Sequence, residues 1–340
     1  MNPFNAFVAG RGRAPQARAA LVITLLALMG IAALVVALVS GEMRIGLGQV
    51  LLALAGSADS IEADVIRHLR LPRAVAVFVC GGLLAIAGAL MQVLLRNPLA
   101  DPYVLGISGG AAVGALSAMM FGLAPWLVDA SAFAGALAAM LLVFGLAHGD
   151  GSWTQTRLLL TGVIVAAGCG AIITLMLSLA PDTRLRSMLF WLMGDASVAS
   201  NPWPAAVVLV AGITLVMPFA RDLNVLARGE ATALSLGIRV QRLRYVLYVV
   251  ASLLTAVSVT LIGSVGFVGL VVPHLVRFVI GNDQRLLLPA AMLAGGTLLT
   301  LADTAARTVI APMQLPVGVL TALIGVPVFL FLLSRTRKLG

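Results

Sequence analysis

The stretch RDLNVLARGEATALSLGIRVQRLR, residues 221–244, is the longest polar interruption in the C-terminal half of the chain, and an apolar run lies on each side of it. It carries five arginines against two acids, Asp222 and Glu230. Residues 230–236 are mostly good helix formers and Gly237 follows them, so a short helix is predicted there. A structured, charged hairpin between two membrane spans is a candidate docking surface for a soluble partner. The alternative is a plain cytoplasmic loop whose arginines only set the topology.

The rest of the chain is strongly apolar. Of its 340 residues, 61% are hydrophobic and only 10% are charged, whereas soluble domains carry about 25% charged residues. The apolar stretches are long and continuous rather than alternating, which indicates membrane-spanning helices and not a β-barrel. We therefore predict an all-α polytopic membrane protein of about ten transmembrane helices. A single transmembrane domain, residues 21–333, would lie between an N-terminal tail, residues 1–20, and a C-terminal tail, residues 334–340.

The predicted spans are residues 21–39, 75–95, 104–122, 130–147, 158–179, 205–220, 245–263, 266–280, 286–302 and 315–333. Residues 245–280 are too long for one span and too short for two full ones. Gly263, Gly266, Gly269 and Pro273 interrupt this stretch. Broken helices are tolerated at membrane depth only inside protein or along a watery cavity. We predict a full helix followed by a short, partial one.

The distribution of charge predicts the topology. With the N-terminus in the cytoplasm, 15 of the 22 Lys and Arg residues fall inside, and the net charge is +10 inside and −1 outside. This asymmetry predicts ten spans with both termini cytoplasmic, and it argues against a nucleic-acid partner. Arg70, Arg73 and Arg307 fall outside, against the rule. An acidic soluble partner would explain them, and so would lipid phosphate or a local salt bridge.

Several kinds of active site are missing from the sequence. The only lysine is Lys338, so no Walker A loop can exist, and any ATP must be hydrolysed by another polypeptide. The three histidines are far apart and both cysteines lie in apolar runs, so we predict no metal site, no bound cofactor and no enzymatic activity. Asp303 and Arg307 stand at i, i+4 near a span end and could pair. Charge inside the spans is otherwise so sparse that an ion-driven secondary transporter is a distant alternative.

Small residues recur at helical spacing in two of the predicted spans. Gly106, Gly110 and Gly114 are four residues apart, and Gly81, Ala85 and Gly88 make a similar face. Such faces allow helices to approach closely. They predict a tightly packed bundle, within one chain or between chains.

Three blocks of sequence resemble a known family. RLPRAVAVFVCGGLLAIAGALMQVLLRNPLADPYVLGISGGAAVGAL (residues 70–116), GSVGFVGLVVPHLVRFVIGNDQRLLLPAAMLAGGTLLTLADTAAR (263–307) and LPVGVLTALIGVPVFLFLL (315–333) are similar to the FecCD/BtuC-type permeases. These are the membrane subunits of type II ATP-binding-cassette importers for vitamin B12, haem and ferric siderophores. The resemblance covers nearly the whole chain from about residue 21.

The resemblance implies an inner-membrane homodimer around a central pathway, served by two cytoplasmic ATPase subunits that bind ATP and Mg²⁺ and by a periplasmic binding protein. Surrounding lipid is the other expected partner. The fifth span would line the pathway. The implied cargo is a large iron or cobalt chelate, with haem as first choice and vitamin B12 or a ferric siderophore as alternatives.

The resemblance also assigns three sets of residues in this sequence. The coupling surface, within residues 221–244, would contact the ATPase, and the arginine cluster would dock the binding protein. The gate set would close the pathway on the cytoplasmic side, although Gln155 departs from the family's Ser/Thr-rich turn. The coupling surface comprises Arg228, Glu230, Leu234, Leu236 and Gly237; the arginine cluster comprises Arg70, Arg73 and Arg307; the gate set comprises Asn97, Leu99, Thr154, Gln155 and Thr156.

Overall fold

A computed structural model describes residues 3–43, 45–57, 60–147, 154–199 and 201–336 of the chain, so Arg44, His148, Arg337 and Lys338 lie outside the described residues. Within these ranges the regular structure is entirely helical. The α-helices, in chain order, are α1 (Pro3–Val39), α2 (Leu47–Leu54), α3 (Ile61–Val65), α4 (Leu71–Leu94), α5 (Ile107–Met120), α6 (Pro125–Ala147), α7 (Gln155–Leu179), α8 (Asp182–Leu192), α9 (Trp203–Val216), α10 (Ala220–Leu226), α11 (Glu230–Ser235), α12 (Val240–Ile262), α13 (Val268–Ile280), α14 (Gln284–Thr308) and α15 (Val317–Thr336).

The predicted spans all have helical counterparts. Among the described residues, seven segments are long and apolar enough to cross a membrane: Ala19–Val39, Ile61–Leu94, α6, α7, Trp203–Leu226, α12 and α14. Three further apolar helices are shorter, namely α5, α13 and Val317–Phe331 within α15. Each of the ten predicted spans overlaps one of these segments, so the predicted all-α polytopic architecture is confirmed. Because α1 begins at Pro3, the tail boundary near residue 20 stays a prediction.

The predicted break after the seventh span is present. Helix α12 ends at Ile262, and α13 begins at Val268 and has only 13 residues. Gly263, at a φ of 75°, lies so close to Trp191 that a Cβ would overlap its carbonyl oxygen. The amide of Val265 donates a hydrogen bond to the Tyr103 hydroxyl at 3.0 Å. Gly269 and Pro273, also predicted to interrupt the helix, lie inside α13, so the break is confined to residues 263–267.

The second span begins earlier than predicted. A single π-helical turn, Ile66–Arg70, joins α3 to α4, so the chain is helical without interruption from Ile61 to Leu94. Arg70 and Arg73 therefore belong to a helix and do not precede one. The predicted start at residue 75 excluded the charged residues before the apolar run, and Pro72 is a common helix breaker. Proline is nevertheless tolerated in the first turn of a helix, which is where Pro72 lies in α4.

Helix α4 is the central helix of the bundle and is buried along most of its length. A Cβ at Gly81 would overlap the carbonyl oxygen of Gly295 in α14, and one at Gly88 would overlap that of Gly269 in α13. Gly110 packs in the same way against α6. These contacts confirm most of the predicted small-residue packing. Gly106 is an exception, since it has a φ of 74° and lies in the turn before α5.

Candidate coupling, gate and docking sites

The coupling surface is formed around α11. The predicted helix of residues 230–236 is confirmed to within one residue, and Gly237 follows it with a φ of 77°. Ala233 is fully buried and anchors the helix, whereas Leu234 and Leu236 are 58% and 65% exposed. Two large apolar side chains are therefore exposed at the end of a short helix whose other side is anchored in the bundle.

Glu230 fixes the orientation of α11. Its carboxylate accepts a hydrogen bond of 2.6 Å from the guanidinium of Arg244 near the start of α12. The side chain of Arg244 is 7% exposed and that of Glu230 is 37% exposed. This ion pair therefore joins the coupling surface to the base of the seventh span. Sequence reasoning missed the pair because a helix turn and a loop separate the two residues.

The structure brings the gate set together at the junction of α4 and α7. The Gln155 Oε1 atom accepts hydrogen bonds from Nε and Nη2 of Arg96, at 3.2 and 3.0 Å, and its Nε2 atom donates to the Leu94 carbonyl at 2.9 Å. Thr154 caps α7 by accepting from the Arg157 amide at 3.3 Å. A glutamine can make both contacts at once, which gives a local reason for the unusual residue in this turn.

Asn97 and Leu99 lie in the turn after α4, and Thr156 completes the gate set. Asn97 Oδ1 accepts a hydrogen bond of 2.9 Å from the amide of Leu99, whose side chain is 37% exposed. Thr156 is exposed at the start of α7. Farther along the same turn, Asp101 accepts a hydrogen bond of 2.8 Å from the amide of Tyr103. Burial raises the pKa of the Asp101 carboxyl to about 6.

Arg96 connects the gate set to the coupling surface. Besides its bonds to Gln155, its guanidinium lies 4.0 Å from the Glu230 carboxylate. Arg244, Glu230, Arg96 and Gln155 thus form a continuous polar chain from α12 to α7, which we call the polar relay. Nothing in the sequence pattern indicates this connection, because its members lie far apart in the chain, three of them on different helices.

The arginine cluster is organised by Asp303, which is 2% exposed. Arg73 Nη2 lies 2.8 Å from Asp303 Oδ1, and Arg307 Nε lies 3.2 Å from Oδ2. The predicted i, i+4 pair of Asp303 and Arg307 is therefore confirmed. Arg70 is buried and donates from Nη1 to the carbonyls of Leu38 and Val39, at 2.7 and 3.0 Å.

These contacts give the three arginines a local structural function. Arg70 satisfies the C-terminal carbonyls of α1, which otherwise have no helical partner, and Arg307 Nη2 donates to the Ala37 carbonyl at 3.1 Å. The side chains of Arg73 and Arg307 are only 14% and 11% exposed. With three cations and one carboxylate, the cluster still carries excess positive charge. Its function in docking a partner stays a prediction.

The two ends of α4 carry different machinery. Arg73 lies near its N-terminus and Arg96 just beyond its C-terminus, and 24 residues rise about 36 Å, slightly more than the hydrocarbon core of a bilayer. The arginine cluster and the polar relay therefore lie at opposite ends of the helical bundle. No group of three or more His, Cys, Asp and Glu side chains in the described ranges is placed to hold a metal ion.

Comparison with known proteins agrees with this architecture. Residues 26–335 match the model of the FecCD transport family. The cobalamin import system permease of Halobacterium salinarum is 43% identical over 279 residues, which cover 81% of this chain and 74% of that one. The haemin transport system permease of Yersinia pestis is 42% identical over 284 residues, which cover 80% and 83%.

A solved structure shares the fold. It shows an ABC transporter of proposed metal-chelate type in an inward-facing conformation, with a TM-score of 0.81 and 28% sequence identity. The match covers 93% of this chain and 99% of that one. Because residues 26–335 match the family model and both relatives are more than 40% identical to this chain, the chain belongs to the FecCD transport family, the permease subunits of type II ABC importers.

Proposed function

We propose that this permease moves a large metal chelate, with haem as first choice, from the periplasm to the cytoplasm. Energy would come from ATP and Mg²⁺ bound to a separate ATPase subunit, and this chain itself would bind no cofactor. A periplasmic binding protein would deliver the cargo. Such a division of labour is consistent with a sequence that contains no Walker A lysine.

One observation carries the coupling mechanism: the polar relay runs from the coupling surface to the gate set. A force applied to Leu234 and Leu236 by an ATPase would move Glu230, because Ala233 anchors α11 as a unit. Glu230 would then shift relative to Arg96, which holds the α4–α7 junction through Gln155. Coupling requires that a partner contact two conformations differently, and the relay supplies an element that joins the two sites.

The homodimer and the pathway are supported by the exposure of α7. Only 11% of the most apolar 18-residue segment of α7 is buried within the chain, the lowest share among the seven long spans. Leu160, Ile164, Leu175 and Leu179 are each at least 59% exposed. We propose that one part of this surface lines an apolar pathway and that another part packs against a second copy. An apolar lining would let a large ligand pass without binding it tightly.

The orientation follows from the charge distribution. The coupling surface and the gate set would face the cytoplasm, together with both termini, and the arginine cluster would face the periplasm. There it would attract acidic side chains of the binding protein. The inner membrane of a bacterium is the corresponding location.

The choice of haem rests on similarity to the Yersinia pestis haemin permease, and the cobalamin permease of Halobacterium salinarum is equally similar. Vitamin B12 and ferric siderophores are therefore the alternatives. The binding protein selects the ligand in such systems more than the permease does, because the proposed pathway is apolar and holds few groups for recognition.

The test is reconstitution in proteoliposomes with the cognate ATPase and binding protein. We expect ATP-dependent accumulation of haem, blocked when the ATPase is omitted, with cobalamin and a ferric siderophore as competing cargoes. Preferred accumulation of cobalamin or the ferric siderophore would change the assigned cargo but would still support an ATP-driven importer. Accumulation that follows an ion gradient in the absence of the ATPase would instead support a secondary transporter.

A further inference from the structure

A cleft of about 760 Å³ lies at the same end of the molecule as the gate set. It is bounded by the end of α4, by α10, by the second half of α13 and by the start of α14. We call it the basic cleft, because Arg96, Arg228 and Arg277 line it and Asp283 is its only acidic lining residue. Arg228 also belongs to the coupling surface and Arg96 to the polar relay, whereas Arg277 has no part in the transport mechanism proposed above.

The single carboxylate in the basic cleft is engaged in local structure. Asp283 Oδ1 accepts hydrogen bonds from Asn224 Nδ2 at 2.7 Å and from the Arg285 amide at 3.1 Å. It therefore caps α14 and holds α10 beside it. Glu230, outside the cleft, lies 4.0 Å from Arg96. Even with both carboxylates counted, the three arginines leave an excess of positive charge, and an anion would be attracted.

One of these arginines is held in a fixed orientation. Arg277 Nη1 donates to Gln92 Oε1 at 2.5 Å, and Gln92 Nε2 donates in turn to the Leu270 carbonyl at 3.2 Å. Gln92 is 3% exposed, so a buried amide exists here to position a guanidinium at the wall of the cleft. Beside it, His274 Nδ1 is shielded from solvent and has no hydrogen-bond partner among the described residues.

The outer wall of the cleft is apolar. Phe278 lines it and is 63% exposed, and Leu275 and Val279 on the same helix are 38% and 48% exposed. The ring of Phe278 packs edge-on against His274, with centroids 5.0 Å apart. A polar, basic interior beside an exposed apolar helix surface suits a molecule with an anionic head and hydrocarbon tails. A free nucleotide or phosphate would leave the apolar wall uncovered.

We infer that the basic cleft binds the phosphate headgroup of an anionic phospholipid, whose acyl chains lie along the exposed surface of α13. Basic pockets between membrane helices on the cytoplasmic side bind such headgroups, and each nearby arginine strengthens binding to an anionic lipid about fivefold. The lipid phosphate would accept hydrogen bonds from Arg277 and from Arg228 or Arg96. This inference concerns lipid binding by the isolated chain and is independent of the cargo.

The test measures lipid retained by the purified full-length chain in a neutral detergent. Phosphatidylglycerol and phosphatidylcholine with the same acyl chains are titrated separately, and bound lipid is counted by native mass spectrometry. We expect at least a tenfold preference for phosphatidylglycerol. Arg277→Gln should weaken its binding about fivefold, and Arg277→Lys, which keeps the charge, should weaken it less.

The matched control is Arg285→Gln, which removes an exposed cation from the start of α14 outside the cleft. It should bind phosphatidylglycerol as the unmodified chain does. Equal binding by Arg277→Gln and Arg285→Gln would overturn the inference, as would complete displacement of the lipid by millimolar inorganic phosphate. If Arg277→Gln does not fold, Arg228→Gln tests the same charge at an exposed position.

Discussion

Arg244 is buried at the start of α12 and its guanidinium donates to the exposed carboxylate of Glu230 at 2.6 Å. The pair stabilises α11 and also forms the first link of the polar relay. Glu230→Ala would leave a buried guanidinium unpaired, so we expect it to lower the free energy of unfolding by about 1 to 3 kcal/mol, between the values for exposed and buried pairs. Thermal unfolding of the purified chain measures this effect.

Asp222→Ala is the matched control, since it removes a nearby acid from α10. Its unfolding temperature should stay close to that of the unmodified protein. In proteoliposomes with the ATPase, Glu230→Ala should reduce cargo uptake per ATP hydrolysed. Unchanged coupling in a folded Glu230→Ala protein would remove the polar relay from the mechanism.

Gln155→Leu tests the other end of the polar relay. The substitution removes the acceptor for Arg96 and the donor to the Leu94 carbonyl while keeping a similar volume. We expect cargo uptake to fall about fivefold, because a net hydrogen bond contributes about 1 kcal/mol, while ATP hydrolysis continues. Gln49→Leu makes the same chemical change at an exposed position in α2, outside the gate set. It should change uptake little, and equal effects of the two substitutions would argue against a specific contribution of Gln155.

Gly88→Ala tests the packing of the central helix. An added Cβ would overlap the carbonyl oxygen of Gly269, a backbone atom that cannot rotate away. Overpacking of this kind costs about 1 to 3 kcal/mol or more, so we expect a lower unfolding temperature and poor yield. Gly145→Ala meets no atom within 4 Å and should be tolerated. Equal stability of the two variants would show that α4 and α13 can separate without cost.

Among substitutions that place an uncharged side chain in the arginine cluster, we expect Asp303→Asn to lower the free energy of unfolding the most. It leaves Arg73 and Arg307 close together in a buried site without the carboxylate that now lies between them. Removing one partner from a buried network costs about 3 to 5 kcal/mol. Glu42→Gln removes an exposed carboxylate beside the same cluster and should have little effect on thermal unfolding. If both variants unfold alike, Asp303 does not organise the cluster.

Docking by the arginine cluster has its own measurement. Arg307→Gln should weaken capture of the binding protein at low salt, and the difference should shrink as salt rises, because salt screens the attraction between the net positive charge of the cluster and an acidic partner. Arg186→Gln, at another position on the predicted outer face, is the control. Affinities from surface-immobilised binding protein would show the effect, and the same affinity for both variants at low salt would exclude Arg307 from docking.

Asp101 predicts a dependence of stability on pH. Its pKa in the folded protein is raised to about 6, whereas the unfolded value is about 3.9. Between these values the folded state binds more protons than the unfolded state, so stability falls as pH rises through this window. Asp101→Asn keeps the acceptor for the Tyr103 amide and should flatten the pH profile of unfolding temperature between pH 4 and 6. An identical profile would show that the carboxyl is well solvated.

Much of the fold could be predicted because span length and the positions of glycine are local properties. Neighbouring residues predicted the break after the seventh span, the short helix before Gly237 and the close approach of another helix at Gly110. The start of the second span was wrong, because tertiary contacts with the carbonyls of α1 and with Asp303 satisfy Arg70 and Arg73 within a helix. The polar relay and the Gln92–Arg277 contact depend on which helices, distant in sequence, meet in the fold, and no single-sequence pattern reports that.

The interruption at residues 263–267 separates the full-length helix α12 from the short helix α13, and no continuous ladder of backbone hydrogen bonds joins the two. The chain between them is held by side contacts, such as the bond from the Val265 amide to the Tyr103 hydroxyl. Tyr103 belongs to the turn that leads from the gate set into α5. Arg277, in α13, donates a hydrogen bond to Gln92 near the end of α4. Helix α13 can therefore tilt relative to α12 without breaking a helical hydrogen bond, and because Gly269 packs directly against Gly88, such a tilt would be transmitted to α4.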